Sequence, residues 1–238
     1  MAYNCKPVSK SHDSSFKRKK ELWDMGMDVE QFKKILKAVK GLPWKEGGSH
    51  PRLASRDYLI FVILGNLGLR IGELVLLQKE HFQRLSANPA MAHVPALKKR
   101  DPDARKIIYV HPRVAKVIMD YIREEMAPNQ KFLFPGASCT RRKREGQSDK
   151  IIEGHLSTRM VTRIFQTYVR LLGFKENYSP HCLRHMFGTL CYERTADPIF
   201  VRDQLGHAGM DGIGVTNRYI SLSPARARKH IKAFGYLL

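Results

Sequence analysis

Apolar positions change their rhythm along this chain, and each change marks the edge of an element. Over 28–40, DVEQFKKILKAVK, apolar residues fall at Phe32, Ile35, Leu36 and Val39. That is the spacing of a helix with one buried stripe, and Asp28 stands where an N-cap belongs. GLPWKEGGSHPR (41–52) is rich in Gly and Pro and reads as a loop. Apolar density then rises until YLIFVILGNLGL (58–69) is nearly continuous, which predicts a helix over 53–67 buried on most faces. A second helix is expected over 70–77. HVPAL (93–97) and KIIYV (106–110) are short β-prone runs joined by KKRDPDAR, the pattern of a hairpin with a long loop. A further strand is expected near Phe82. Helical spacing returns over 112–126, with Pro112 in the first turn. GASCTRRKREGQSDK (136–150) reads as a basic insertion loop, and helices are expected over 156–172, 180–194, 197–205 and 223–234. No internal repeat is visible. The predicted fold is mainly α with one small antiparallel β-sheet (α+β). A polar, lysine-rich arm (1–24) leads into a domain over 25–238.

Composition narrows the class of partner. The 238 residues are 43% hydrophobic and 27% charged, enough apolar side chain for a substantial core and too much for wholesale disorder. Lys and Arg number 42 against 22 Asp and Glu, a net charge of +20. Such an excess points to a polyanion. The basic residues are spread along the chain rather than gathered beside one apolar segment, which favours nucleic acid over an anionic membrane surface. The run at 58–69 is too short to span a bilayer, and the N-terminus has no apolar signal core. The expectation is a cytoplasmic, nucleoid-associated protein with no membrane partner. Cys5, Cys139, Cys182 and Cys191 form no CxxC pair and read as free thiols.

Five residues carry candidate chemistry, and each has a plain structural reading beside it. In HCLRH (181–185), His181 and Arg184 are three apart and share one helix face. His185 makes an HxxxH pair with His181, but Cys182 stands where a zincin would have Glu, and no third ligand is apparent, so no metal is assigned. Arg70, in GLRIGEL (68–74), follows a long apolar stretch and needs an anion; Glu73 alone would serve as an ion-pair partner. His207 lies in the Gly-flanked turn LGHAG, where a helix C-terminal His would interact with the dipole. Tyr219, in VTNRYIS (215–221), reads by itself as a half-buried core residue.

The plain readings do not account for the ordered set. GLRIGEL, LKKR, PHCLRHMFGT, LGH and TNRY, in that order over about 28–235, resemble the tyrosine recombinase (phage integrase) family. Arg184 and His207 are 23 residues apart, as in that family. The chain departs from the pattern in three places. His207 and Tyr219 are separated by 12 residues, a few more than usual, and the excess lies in the glycine-rich GMDGIG (209–214). Residues 1–50 are short for the additional N-terminal clamp domain of most relatives, so the chain looks similar to the catalytic-domain-only members such as fimbrial-switch recombinases. The hairpin lysine best aligns with Lys98, while Lys99 is adjacent and Lys106 lies across the turn; a slip of one residue would reverse the faces.

What the resemblance implies is site-specific DNA recombination through a 3′-phosphotyrosine, with no cofactor, metal or ATP. Arg70 and Arg184 would grip the phosphate, Tyr219 would attack it, and His181 would be the base. Lys98 would be the acid, His207 a hydrogen-bond donor, and Glu73 would orient Arg70. Lys17, Arg18, Lys19, Lys20, Lys99, Arg141, Arg142, Lys143 and Arg144 would meet DNA phosphates without choosing sequence. The implied partners are double-stranded DNA, a homotetramer on paired sites, and accessory DNA-bending proteins. The C-terminal helix, about 223–238, would pack either on a neighbouring subunit or on its own core. Competing readings are type IB topoisomerase-like relaxation by the same chemistry, and a non-catalytic DNA-binding architectural relative.

Overall fold

A computed structural model describes residues 27–41, 51–97, 104–136, 139–141, 150–152, 154–174 and 178–206, together with 228, 231 and 232. Helix α1 (Val29–Gly41) buries Phe32, Ile35, Leu36 and Val39, the stripe expected from their spacing. It packs on α2 (Pro51–Leu67), whose second half, Leu59–Leu67, is fully enclosed. On another side, Phe61 of α2 meets α5 (Thr158–Leu171). Its ring centre lies 5.9 Å from Phe165 and 5.6 Å from Tyr168, the latter edge-on. Burying side chains of this size stabilises the fold by about 1.5–3 kcal/mol each, and their edge contacts add to it. Helix α4 (Pro112–Glu124) closes the layer against α2, with His111 Nδ1 accepting the Arg113 amide at 3.2 Å as its cap. No described helix is long and apolar enough to cross a membrane.

Two short antiparallel hairpins complete the described chain. Strands β1 (Met91–Pro95) and β2 (Arg105–Tyr109) pair with Met91 opposite Tyr109, Val94 opposite Lys106 and Pro95 opposite Arg105. Ala92, Val94 and Ile108 point into the core, and by strand alternation Lys106 shares their face while His93, Arg105 and Ile107 lie on the other. Strands β3 (Cys139–Arg141) and β4 (Lys150–Ile152) form the second hairpin. It adds a second two-stranded sheet to the one expected, and pairs as strands the two ends of the basic insertion expected over 136–150. The expected strand near Phe82 is corrected. Lys79–Phe82 is a 3₁₀ turn in which the Gln78 amide donates to His81 Nδ1 at 3.0 Å, a local bond that competes with strand pairing. The helix expected over 70–77 shortens to α3 (Ile71–Val75).

Helices α6 (His181–Thr195) and α7 (Pro198–Leu205) form the last described unit. Asp197 caps α7 by accepting the Ile199 and Phe200 amides, each at 3.0 Å. Gln204 then docks α7 onto the free edge of β2: its Oε1 accepts the Tyr109 amide at 3.0 Å and its Nε2 donates to the Tyr109 carbonyl at 2.6 Å. Phe187 and Cys191 of α6, Phe200 and Leu205 of α7, and Ile231 make a second, smaller apolar cluster. Of the helix expected over 223–234, only residues 228, 231 and 232 are described, and all three are helical.

Candidate active site

The site is assembled where three helix ends meet the inward face of β2. Helix α2 stops at Gly68, which takes φ +60, a backbone few other residues tolerate; a Cβ there would also lie 2.4 Å from Phe187 Cδ1. The turn delivers Arg70 to the N-cap of α3 in extended conformation. Glu73, three residues on, reaches back. Its Oε2 accepts the Arg70 amide at 2.9 Å and its Oε1 accepts from Arg70 Nη1 at 3.1 Å. Glu73 is fully buried, and a buried carboxylate needs compensating donors. It has another in Lys106, whose Nζ donates to Oε2 at 2.8 Å.

Arg184 enters from α6. It is 4% exposed, yet among the described residues no carboxylate pairs with it. Its Nη1 donates to the Gly68 carbonyl at 2.5 Å and its Nη2 to the Leu205 carbonyl at 2.8 Å, so it joins the ends of α2 and α7. Burial, and then the neighbouring Arg70 guanidinium, lower its pKa to about 10. Lys106 is also lowered from the ordinary lysine value, first by burial; Glu73 opposes that shift, and Arg184 and Arg70 reinforce it. The cluster gathers Arg70, Arg184 and Lys106 around the single carboxylate of Glu73. An unbalanced group of enclosed cations is a receptor for an anion, and two guanidinium forks suit the paired oxygens of a phosphate.

His181 is the first residue of α6 and is exposed. Its ring stands edge-on to His185 at 4.6 Å between centres. Burial, then Arg184, lower the His185 pKa. The structure thus brings Arg70, Glu73 and Arg184 together, with His181 on the same helix as Arg184. Lys98, Lys99, His207 and Tyr219 lie outside the described residues, as do Lys17, Arg18, Lys19, Lys20, Arg142, Lys143 and Arg144. Arg141 falls in β3.

Sequence reasoning left one group at this site among alternatives and missed another. Lys106 was one of three candidates for the hairpin lysine, but its alternation with Ile108 and Val110 already places it on the inward face. Gln204 carried no signal, since nothing local tells a docking amide from a surface one.

A mainly helical domain with a small antiparallel sheet, in which a buried arginine and a partly buried one stand beside one carboxylate, defines the class. The chain belongs to the phage integrase family, whose model matches residues 26–226. It is 31% identical over 161 residues to a tyrosine recombinase of Pseudothermotoga lettingae, covering 67% of this chain and 48% of that one. With the tyrosine recombinase XerD of Lacticaseibacillus casei it shares 28% over 172 residues, 72% of this chain and 52% of the relative. The chain spans about half the length of these relatives. Among solved structures, it is similar to XerA recombinase (TM-score 0.56, 21% identity, covering 87% of this chain and 64% of that one). It is also similar to the integrase of mycobacterium phage Brujita (TM-score 0.57, 16% identity, covering 99% and 62%). XerH bound to its difH substrate gives a TM-score of 0.56 at 18% identity, covering 87% and 49%. At these identities the structural likeness establishes the fold.

Proposed function

We propose that the chain is a site-specific DNA recombinase that cleaves and rejoins strands through a 3′-phosphotyrosine. The observation that carries this reading is the pair Arg70 and Arg184, two neighbouring guanidiniums of which the more buried has no carboxylate partner among the described residues. Phosphodiester cleavage passes through a phosphorane-like state with extra negative charge, and fixed cations stabilise it more than the ground state. Family membership supports the same reading, and a fold neighbour, the Tn1549 transposon integrase in complex with transposon right end DNA, supports DNA as the partner.

In this mechanism Tyr219 Oη attacks phosphorus in line and forms the O–P bond while the bond to the 5′-oxygen breaks. His181 takes the phenol proton, which has an ordinary pKa of about 10. Lys98 gives a proton to the departing 5′-oxygen. Arg70 and Arg184 each fork onto non-bridging oxygens, His207 donates a further hydrogen bond, and Glu73 keeps Arg70 in register. The phosphotyrosine retains the bond energy, so a 5′-hydroxyl from a second duplex reverses the attack without ATP or a metal. Exchange requires paired sites, hence a homotetramer on DNA.

The test is a covalent-adduct assay on labelled duplex from the DNA flanking the chain's own gene, in EDTA. Wild type is expected to give a protein–DNA band that survives denaturation, and Tyr219→Phe none. A band persisting in Tyr219→Phe would name a different nucleophile. DNA binding with no band on any duplex would instead favour the non-catalytic architectural relative.

A further inference from the structure

Lys106 makes contacts that the chemistry above leaves unused. Its stem runs from β2 over Gly206, the residue that ends α7 at φ +65. A Cβ at that position would lie 2.5 Å from Lys106 Cδ and 3.1 Å from Nζ. Its ammonium donates to Glu73 Oε2 at 2.8 Å and to the Leu205 carbonyl at 3.2 Å. The same carbonyl accepts from Arg184 at 2.8 Å, and the same carboxylate holds Arg70 by two hydrogen bonds. One ammonium thus ties β2, the start of α3 and the end of α7 into a continuous chain of contacts running from Arg70 to Arg184. In sequence, His207 follows Gly206 directly.

We infer that Lys106 is a positioning residue: from β2 it sets Arg70 through Glu73 and seats the Leu205–Gly206 turn that leads to His207. Both phosphate-binding elements are thereby fixed relative to the hairpin. This rests on the recombinase reading. A second role for the same side chain, proton donation to the leaving oxygen, fits the geometry less well. The Lys106 side chain is 8% exposed, and its two hydrogen bonds go to groups of the protein itself. Its partners belong to the scaffold, and a buried ammonium held by a carboxylate and a carbonyl orients what those groups carry.

The experiment uses the full chain as wild type, Lys106→Met and Lys106→Arg, on a cleavable duplex and on the same duplex with a bridging 5′-phosphorothiolate. A thiolate departs without a donated proton, so the sulfur substrate rescues a missing acid but not a misplaced guanidinium. Lys106→Met is expected to bind DNA within about threefold of wild type and to form adduct about a hundredfold more slowly on both linkages. Lys106→Arg should recover most of the rate. Rescue of Lys106→Met by the phosphorothiolate would overturn the inference and make Lys106 the acid; an unchanged rate would make it a bystander. Should Lys106→Met fail to fold, Lys106→Met with Glu73→Gln removes both buried charges together and is expected to fold while staying slow on both linkages.

A DNA-free arm separates this inference from the function it rests on. The ¹⁵N–¹H signals of Arg70 Nε and the Gly206 amide should shift in Lys106→Met, while that of Val161, in the main core, stays in place. Unmoved Arg70 and Gly206 signals would refute positioning whatever the chain does to DNA. Absence of any adduct from wild type would sink the recombinase reading while leaving this result to stand.

Discussion

The two faces of the β1–β2 hairpin bury ionisable groups in opposite ways. On the inward face Lys106 is enclosed and meets the Glu73 carboxylate at 2.8 Å. On the other face His93 packs near His81 of the 3₁₀ turn, and among the described residues neither Nε2 has a hydrogen-bond partner. The charge with the largest effect on His81 is Arg105, of the same sign as a protonated imidazole. Burial first, then Arg105, bring the His81 pKa down to about 4; Glu80 opposes the shift and His93 adds to it. The sign of the neighbour separates the two cases. A carboxylate lets a cation remain charged inside the fold, whereas burial, reinforced by an arginine, drives an imidazole toward its neutral form. One face becomes an electrostatic site and the other a structural one.

The largest break in that comparison is at the charged face. Arg184→Ala is expected to slow adduct formation about a thousandfold, or about 4 kcal/mol of barrier, to remove the side-chain donor of the Gly68 carbonyl and to leave the Leu205 carbonyl with Lys106 alone. Arg184→Lys should recover little of the rate, since one ammonium cannot span two carbonyls and a phosphate. Single-turnover cleavage measures both. Glu73→Gln comes next. It strands Lys106 and Arg70 without a counter-charge and is expected to lower stability in urea unfolding by about 3 kcal/mol. An unchanged unfolding midpoint would mean that solvent, not Glu73, balances those cations.

The neutral face responds to pH instead. His81 has a folded pKa of about 4 against an ordinary value of 6.5. The unfolded chain therefore takes up the proton first as pH falls. The contribution of the neutral, buried ring is complete above about 6.5 and is lost progressively between there and about 4. Between pH 7.5 and 5 this amounts to about 2 kcal/mol of unfolding free energy. His81→Asn keeps an acceptor for the Gln78 amide and removes the titration. Its stability should change less than wild type's over that interval by about that amount. Equal slopes for the two proteins would show that His81 titrates alike in the folded and unfolded chain and that its burial does not hold the ring neutral.

Much of this contrast was legible in the chain. The helical stripe Phe32–Val39 and the alternation Lys106–Ile108–Val110 are periodic signals, and periodicity is what burial on one face imposes. The arginines at 70 and 184 were legible because each sits in a distinctive local context. What could not be read is long-range. Glu73 meets a lysine 33 positions away, and Arg184 meets carbonyls at positions 68 and 205. Those pairings come from the packing of α2, α6, α7 and β2, which no local pattern encodes. The 3₁₀ turn at Lys79–Phe82 was misread for the opposite reason. A strand was expected near Phe82, and the side chain of His81 satisfied the Gln78 amide locally instead.

A third polar group at the hairpin's edge sharpens the comparison, because it is enclosed, neutral and fully paired. Gln204 is 2% exposed and exchanges two hydrogen bonds with the Tyr109 backbone. Neither a counter-charge nor a protonation state enters its energetics, so its removal should differ in kind from the other two. Gln204→Leu fills similar volume but leaves a backbone N–H and C=O unsatisfied, a cost of about 1–2 kcal/mol. That cost should be the same at pH 5 and pH 7.5 and insensitive to salt. Gln204→Glu adds the titration back with reversed sign. Ionised, it faces the Tyr109 carbonyl; protonated, it can again donate to it. The folded pKa of the new carboxyl would thus be raised. Its contribution would be complete below the ordinary carboxylate value and lost as pH rises through the folded one, opposite to the trend at His81. Urea unfolding of the two variants across that range decides the point. A pH-dependent cost in Gln204→Leu would mean that α7 leans on a titrating group, and that the edge of the hairpin is not the neutral contact its hydrogen bonds describe.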